Sequence, residues 1–328
     1  MKIKKLGRTV ERITEEVNPL LILRANELFH DLVKEDYDEE VGEGIVLKEK
    51  NRWLKSKKYF NSKKPLTILD IGTGTGFVPL TIAEFLKEKD TFICSDVSQE
   101  MLNLSKKKII EKKFKCKFKF VKIEKELPFD KECIDIITMD SVLHHIINPS
   151  DFLSSLKYIL KKRGYLMVCH EPNAPWINNS VLKLRYSILS LILDPKHSIK
   201  DLSKKLGLDK ILELLFSLIS KNRREIIKKR KKIALEINNT LLIEGLTSKK
   251  YSYEDIISEL IDNQVSKGFY PKKLIPDYEV IYFETYDHIH SLPEMYLNLK
   301  FIKKYSENLK KRYPDDGGLF FIILKKPL

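Results

Sequence analysis

A chain of 328 residues is long for one compact domain, so a nucleotide-binding-sized core with a substantial addition is expected. A hydrophobic fraction of 43% is enough to fill a core and excludes a disordered chain. The formal charge of +14 admits RNA, an anionic membrane or an acidic substrate as partner, but the excess is almost all lysine, spread through an Ile-, Asn- and Lys-rich sequence. It reads as compositional drift, because a nucleic-acid face carries interleaved arginine and aromatic residues.

The first dozen residues soon alternate charges and contain no apolar core of a leader, so no secretory signal is expected. Residues 8–36 have helical spacing, with apolar positions Ile13, Val17, Leu20, Leu21, Leu23, Leu28 and Leu32. Gly42 and Gly44 break it, and a short Lys-rich helix leads to Pro65. Strands then alternate with helices. The strands are expected near Leu66–Asp70, Thr91–Asp96, Phe118–Lys122, Ile134–Met139 and Tyr165–His170, with helices near Val78–Lys87, Gln99–Lys112 and Pro149–Lys161. Such alternation with short links predicts a parallel sheet covered on both faces, with ligands at the carboxyl ends of its strands.

After Pro172 the chain changes character. Residues 174–249 are Leu/Ile/Lys-rich at helical spacing with no strand between, which predicts an inserted helical subdomain. Its densest basic run, Lys221 to Lys232, reads as a solvated helix face. The greasiest stretch, Tyr186 to Leu193, is too short to span a bilayer, so a cytoplasmic protein without a transmembrane segment is expected. Ser252-Tyr-Glu-Asp255 opens another helix as a capping box, ending near Gly268. Strands near Tyr278–Tyr286 and Leu319–Leu324 follow, separated by a helix near Leu292–Lys311, with Asp315-Asp-Gly-Gly318 turning into the last strand. The four cysteines, Cys94, Cys116, Cys133 and Cys169, form no C-x-x-C pair and read as free thiols. No metal is expected.

The most specific stretch is Ile68-Leu-Asp-Ile-Gly-Thr-Gly-Thr-Gly76, a buried strand running into a turn almost without side chains, then a helix. Such a turn offers backbone N–H groups and a helix N-terminus to an electron-rich ligand. Its spacing is G-x-G-x-G. The dinucleotide G-x-G-x-x-G would need a glycine at Phe77 or Pro79. Asp96 ends the second strand twenty residues after Gly76, where an acid can accept both hydroxyls of a ribose; the neighbouring Ser98 is free to cap the next helix.

The glycine turn resembles motif I of the class I S-adenosylmethionine-dependent methyltransferases, and further segments follow in the same order. Ser95–Ser105, with Met101 beside the nucleoside, resembles the family's segment after strand two. Glu126-Leu-Pro-Phe129 resembles its Leu-Pro-Phe element, Met139–Ile146 the stretch after strand four, and His170-Glu-Pro-Asn173 the end of strand five. The resemblance covers about residues 66–172, with weaker echoes at Tyr253–Phe269 and in the last two strands. It lies nearest the ubiquinone/menaquinone- and natural-product-type small-molecule enzymes. One departure is clear: the acid that usually precedes Leu-Pro-Phe falls on Ile123, with Glu124 one residue later.

The resemblance implies an α/β, Rossmann-like, seven-stranded, mostly parallel sheet with an antiparallel last strand, plus N-terminal helices and a helical insert acting as a lid. The implied divisions are an N-terminal segment over the donor site (1–60), the donor-binding core (61–173), the insert (174–249) and the C-terminal part of the core (250–328). S-adenosylmethionine is the implied donor and S-adenosylhomocysteine its product. Asp70 would hold the donor's ammonium side through the turn, Gly72 and Gly74 would admit its carboxylate, Asp96 the ribose, Met101 the nucleoside, Ile123 and Glu124 the adenine, and Asp140 the methionine moiety. Thr73, Gly76, Val97 and Ser141 complete the implied donor set.

Methyl transfer is an in-line displacement from a sulfur that leaves neutral, so a base is needed only when the acceptor must lose a proton. Base candidates are His30, His144, His145, His170, Glu171, His288 and His290, and the helix resembling the family's donor-covering helix adds Asp31 and Tyr37. His30, Tyr37, His145 and His170 are the leading catalytic expectations. The expected acceptor is a small, largely apolar or natural-product-like molecule under the insert. The alternatives are an RNA or peptide docked on Lys221–Lys232, or a non-catalytic donor-binding module. Asp140-Ser-Val-Leu143 in place of an Asn-Pro-Pro-Tyr element disfavours amino-group chemistry on nucleobases.

Overall fold

The computed structural model describes residues 18–34, 43–124, 127–193, 221–289 and 299–328. Five apolar runs pair in parallel: β1 (Thr67–Ile71), β2 (Thr91–Asp96), β3 (Lys117–Lys122), β4 (Ile134–Asp140) and β5 (Leu160–Pro172). With β6 (Glu279–Tyr286) and β7 (Leu319–Lys325) they form one seven-stranded sheet in the order β3-β2-β1-β4-β5-β7-β6. β7 is antiparallel to both of its neighbours, as the sequence predicts for the last strand. The strand order reverses at β1, between β2 and β4, so a crevice opens at the carboxyl ends of those strands.

Strand alternation sends successive residues to opposite faces. Leu69, Ile137 and Leu166 join one core with Leu153 and Leu156 of α5 (Pro149–Ile159). Ile68, Ile136 and Met167 join the other, with Val78 and Ile82 of α3 (Phe77–Ile82), Leu102 and Ile109 of α4 (Gln99–Lys112), and Trp53 of α2 (Glu43–Leu54). Edge strand β3 alternates lysines with phenylalanines and stays half-exposed, a composition that discourages pairing with another chain. All four cysteines are free.

Several boundaries differ from expectation. The helix after the glycine turn stops short of Lys87, because α3 gives way to a 3-10 turn at Ala83–Phe85. Asp90 then accepts from the backbone N–H groups of Leu66 (2.9 Å) and Lys87 (2.7 Å) and turns the chain into β2. Strand β5 begins at Leu160, not Tyr165, and α5 correspondingly ends before Lys161. The early part of β5 is possible because Gly164 has no Cβ: one would lie 2.8 Å from the carbonyl oxygens of Asp135 and Lys161. The Ser252–Asp255 capping box is present in both directions, but α9 (Tyr253–Asp255) passes into a π-helical turn, Ile256–Ile261, which ends well before Gly268.

The described part of the insert is helical: α6 (Ala174–Asn178), α7 (Ser180–Leu193) and α8 (Lys221–Ile243). Leu182 of α7 packs on Ile302 and Leu309 of α10 (Lys300–Arg312). Ile233, Ala234, Ile237 and Leu241 of α8 pack on Leu21, Ile22, Ala25 and Val33 of the N-terminal helix α1 (Pro19–Val33). Asn18 caps α1 through the Leu20 N–H, and Pro19 occupies its first position; residues 8–17 and 35–36 of the stretch expected to be helical lie outside the described residues. Among the described residues no helix is long and apolar enough to cross a membrane.

Candidate active site

The glycine turn is built on Asp70. Its register partners Cys94 and Thr138 flank it at the centre of the sheet, and burial is complete. A carboxyl group there needs partners. Thr138 Oγ1 donates to Oδ1 at 2.7 Å and Thr73 Oγ1 to Oδ2 at 2.8 Å. Thr73 N–H in turn donates to the Ser95 carbonyl, and Ser95 N–H to Thr73 Oγ1, which ties the turn to β2. Gly72 has a φ of +66°, and a Cβ on it would lie 2.4 Å from Val142 Cγ2. The turn therefore presses directly on the segment after β4.

A cavity of about 640 Å³ lies over this turn. Gly72, Gly74, Asp96, Val97 and Met101 line it from β1, β2 and α4; Ile123 and Glu124 from the end of β3; Asp140 and Ser141 from the end of β4. Its roof is α1, which contributes Leu20, Leu23, Asn26 and His30. The far wall is apolar, formed by Ile146, Ile147 and Phe152, with His145 beside them. A second groove of about 820 Å³ opens at the Ile123–Glu124 end, between Leu20, Leu23 and Glu244.

Helix α1 is tethered at several points. Lys122 reaches Glu27 at 2.5 Å, Lys34 reaches Glu100 at 2.5 Å, and Arg24 bridges Glu27 and Glu244 at 2.6 and 2.8 Å. Ser98, the cap of α4, also donates to Asp31, so Asp31 docks α1. Asn26 Nδ2 donates to the carbonyls of Ile22 (2.9 Å) and Leu260 (3.0 Å), while its buried Oδ1 has no hydrogen-bond partner.

Three acids surround the turn, Asp70 and Asp96 buried and Asp140 partly so, and each has a raised pKa. Burial pushes Asp70 up to about 7, against the hydrogen bonds of Thr138 and Thr73. Burial pushes Asp96 up to about 6, although it accepts backbone N–H bonds from Ser98 (2.9 Å) and Gly74 (2.8 Å). Asp140 is likewise raised by burial to about 6, with the His170 charge pulling the other way. Trp53 Nε1 donates to Asp140 Oδ2 at 2.5 Å. Acids in this condition are suited to a ligand that brings positive charge and hydrogen-bond donors.

The histidines divide into separate environments. Burial lowers His30 to about 4 and holds His145 well below its ordinary value, so both are neutral at physiological pH. Their ring centroids are 5.7 Å apart across the cavity wall. Glu171, fully buried, accepts from the backbone N–H groups of Val142, Leu143 and His144 at 2.7, 2.6 and 3.0 Å, and pairs with His144 Nδ1 at 2.8 Å. It thereby shapes the 3-10 turn Leu143–His145 that presents His145. His170 lies behind the cavity. Glu49 pairs with it at 3.0 Å and with Arg52 at 2.5 Å; burial opposes the His170 cation, but Glu49 lifts its pKa to about 9.

Of the residues expected from sequence, eleven meet at the cavity: Gly72, Gly74, Asp96, Val97, Met101, Ile123, Glu124, Asp140, Ser141, His30 and His145. Asp70, Thr73 and Gly76 lie beneath it and hold the turn, and His170 points into the Glu49 cluster. Tyr37 and His290 fall outside the described residues. His288 is distant, bonded to the Tyr313 carbonyl. No described residue of 174–249 lines the main cavity; its lid is α1, and the insert reaches only the neighbouring groove, through Glu244 and Leu246. Sequence reasoning missed Asn26, Ile146, Ile147 and Phe152. An apolar or amide residue on a helix does not disclose which face it turns inward.

A family model described as a methyltransferase domain matches residues 62–232, just over half the chain. The ubiquinone/menaquinone biosynthesis C-methyltransferase UbiE of Vibrio vulnificus is 30% identical over 102 residues, 31% of this chain and 39% of that protein. The demethylmenaquinone methyltransferase of Lactococcus lactis is 31% identical over 173 residues, 52% of this chain and 64% of that protein. The chain thus spans less than two thirds of the length of these relatives. Among solved structures, a SAM-dependent methyltransferase from Aquifex aeolicus is 30% identical, covering 37% of this chain and 64% of its own, with a TM-score of 0.33.

Proposed function

This chain belongs to the class I S-adenosylmethionine-dependent methyltransferases, and from that premise we propose that it methylates a small, largely apolar acceptor held against α1 and the wall Ile146–Phe152. When bound, the donor supplies an electrophilic methyl group on a sulfonium. The residues present fit it. Gly72 and Gly74 line the cavity without side chains, and two acids beside them, the buried Asp96 and the partly buried Asp140, offer acceptors for a diol and a cationic head. Asp96 would take the ribose, Asp140 the ammonium end, and Ile123 and Glu124 the adenine.

The observation that carries the acceptor reading is the junction of the apolar wall with His30 and His145 at the end of the cavity away from Glu124. The protein aligns the partners and excludes water there. Neutral His145, or His30 beside it, is in the form that takes a proton if the acceptor carries one to lose. The basic face of α8 offers less to a nucleic acid: Arg230 lies near Glu254 and Lys232 near Glu236, and neither lines the cavity.

The test is incubation of the purified protein with S-adenosylmethionine and pools of small hydroxylated or amino acceptors, read as S-adenosylhomocysteine formed. Turnover that Asp96→Ala abolishes supports the assignment. Methylation unaffected by Asp96→Ala would sink it.

A further inference from the structure

Three metal-ligating groups converge at the edge of the cavity, on segments more than a hundred residues apart. Asp262 follows the π-helical turn, while His144 and His145 lie on the 3-10 turn after β4. Asp262 Oδ1 lies 3.6 Å from His145 Nδ1 and 3.9 Å from His144 Nε2, and all three ligand atoms fall within 4.8 Å of one another. These separations exceed hydrogen-bond length. They approach the spacing of ligands around one ion, because bonds of about 2.0–2.1 Å in tetrahedral array place neighbouring ligand atoms roughly 3.3 Å apart.

The surroundings match such a site. Glu171 Oε2 accepts from His144 Nδ1 at 2.8 Å; with the proton kept on Nδ1, the neutral ring holds its lone pair on Nε2, the atom facing Asp262. A carboxylate behind the ring is the usual orienting partner of a ligating histidine. The two segments are also held in register: Gln264 N–H donates to the His144 carbonyl at 3.1 Å, Asn263 Nδ2 to the His145 carbonyl at 3.0 Å, and Gln264 Nε2 to the Ile147 carbonyl at 3.2 Å. All three candidate ligands are partly exposed, so an ion has a way in.

We propose that His144 Nε2, His145 Nδ1 and Asp262 Oδ1 bind a divalent first-row ion such as Zn²⁺, with an open position for water or a ligand oxygen. Two imidazoles and one carboxylate suit a borderline ion better than Mg²⁺ or Ca²⁺. At His145, coordination requires the proton to move from Nδ1 to Nε2, which gives up the Nδ1–H bond to the Ile261 carbonyl and frees the Nδ1 lone pair for the ion. With the ion bound, His30 is the histidine left to take a proton at the cavity; the identity of the methyl acceptor does not enter.

The experiment uses the full chain, stripped with chelator and then titrated with Co²⁺ (followed by visible absorption) and Zn²⁺ (followed by calorimetry). The expected result is one ion per chain. Asp262→Asn and His144→Ala are each expected to weaken binding by about tenfold or more, and Glu171→Gln, a change behind the ligand, by about 10–100-fold. Asp262→Asn is nearly isosteric on a partly exposed side chain, so it remains decisive if the other variants fold poorly; matched circular dichroism melts establish that it does fold. A wild-type chain that takes up no ion, or an Asp262→Asn chain that binds as tightly as wild type, overturns the site.

Discussion

Trp53 on α2 donates its indole N–H to Asp140 at the tip of β4, 2.5 Å away, so a helix that precedes the sheet in sequence orients an acid at its centre. Trp53 is fully buried and packs on Phe321 of β7 with ring centroids 5.3 Å apart. Trp53→Phe preserves most of this packing and removes the hydrogen bond. A hydrogen bond to a charged group contributes about 1.5–3 kcal/mol, so a loss of donor affinity on the order of tenfold is expected by calorimetry. An unchanged Kd would show that Asp140 needs no such orientation.

Asp96 has the larger effect. Its carboxylate holds the N–H groups of Gly74 and Ser98 before any ligand arrives. Asp96→Ala leaves both donors unpaired and removes the proposed ribose acceptor. Donor binding is expected to fall by about 100-fold, with about 1–3 kcal/mol lost from folding. Asp96→Asn keeps one acceptor oxygen, so its binding and denaturation midpoints are expected to fall between those of wild type and alanine.

The pH response has a definite sign. Asp70, Asp96 and Asp140 have folded-state values of about 7, 6 and 6, above the ordinary 3.8, so the ligand-free fold binds extra protons between these limits. The stability they contribute is present below about pH 4 and is lost as pH climbs through 6 to 7. His170, lifted to about 9, contributes stability below 6.5 that is lost as pH rises through 9. The lowered His30 and His145 act in the opposite sense below 6.5, so urea denaturation of the ligand-free chain is expected to show falling stability from pH 6.5 to 9. Donor binding has the opposite slope, because a cationic head favours the ionised Asp140. Affinity is expected to rise between pH 5 and 7, with proton release visible as a buffer dependence of the calorimetric heat.

Gly72→Ala has two separable costs. The new Cβ meets Val142, and the backbone must remain at positive φ. The left-handed region costs about 1–2 kcal/mol for a residue with a Cβ. The double variant Gly72→Ala/Val142→Ala is expected to recover part of the loss in thermal midpoint and no more. Full recovery would mean that the conformation carries no strain.

The sheet and the glycine-turn end of the cavity were largely legible because their signals are local. An apolar run ending in Asp70-Ile-Gly, an acid at Asp96 and a cap at Ser98 each depend on neighbours within a few positions. The residues that were not legible act across long separations. Glu171 supports a turn 27 residues earlier, Asn26 holds the Leu260 carbonyl from 234 residues away, and Trp53 meets Asp140 across 87. Periodicity records that a side chain faces inward and gives no information on what it will meet there. Helix α1, from the N-terminal segment expected over the donor site, lines the cavity, while the described part of the insert, expected as a lid, packs against α1 through α8.

Leu20 and Leu23 of α1 stand at the Ile123–Glu124 end of the cavity, and Asn26 and His30 stand one and two turns further along, towards His145. On the proposed reading a single helix serves as a wall for both ligands. Whichever molecule enters first and settles that helix spares the second the entropy of doing so. Binding of the two is then mutually reinforcing, and a substitution on α1 chosen to alter which acceptor is taken is expected to shift the affinity for the donor with it.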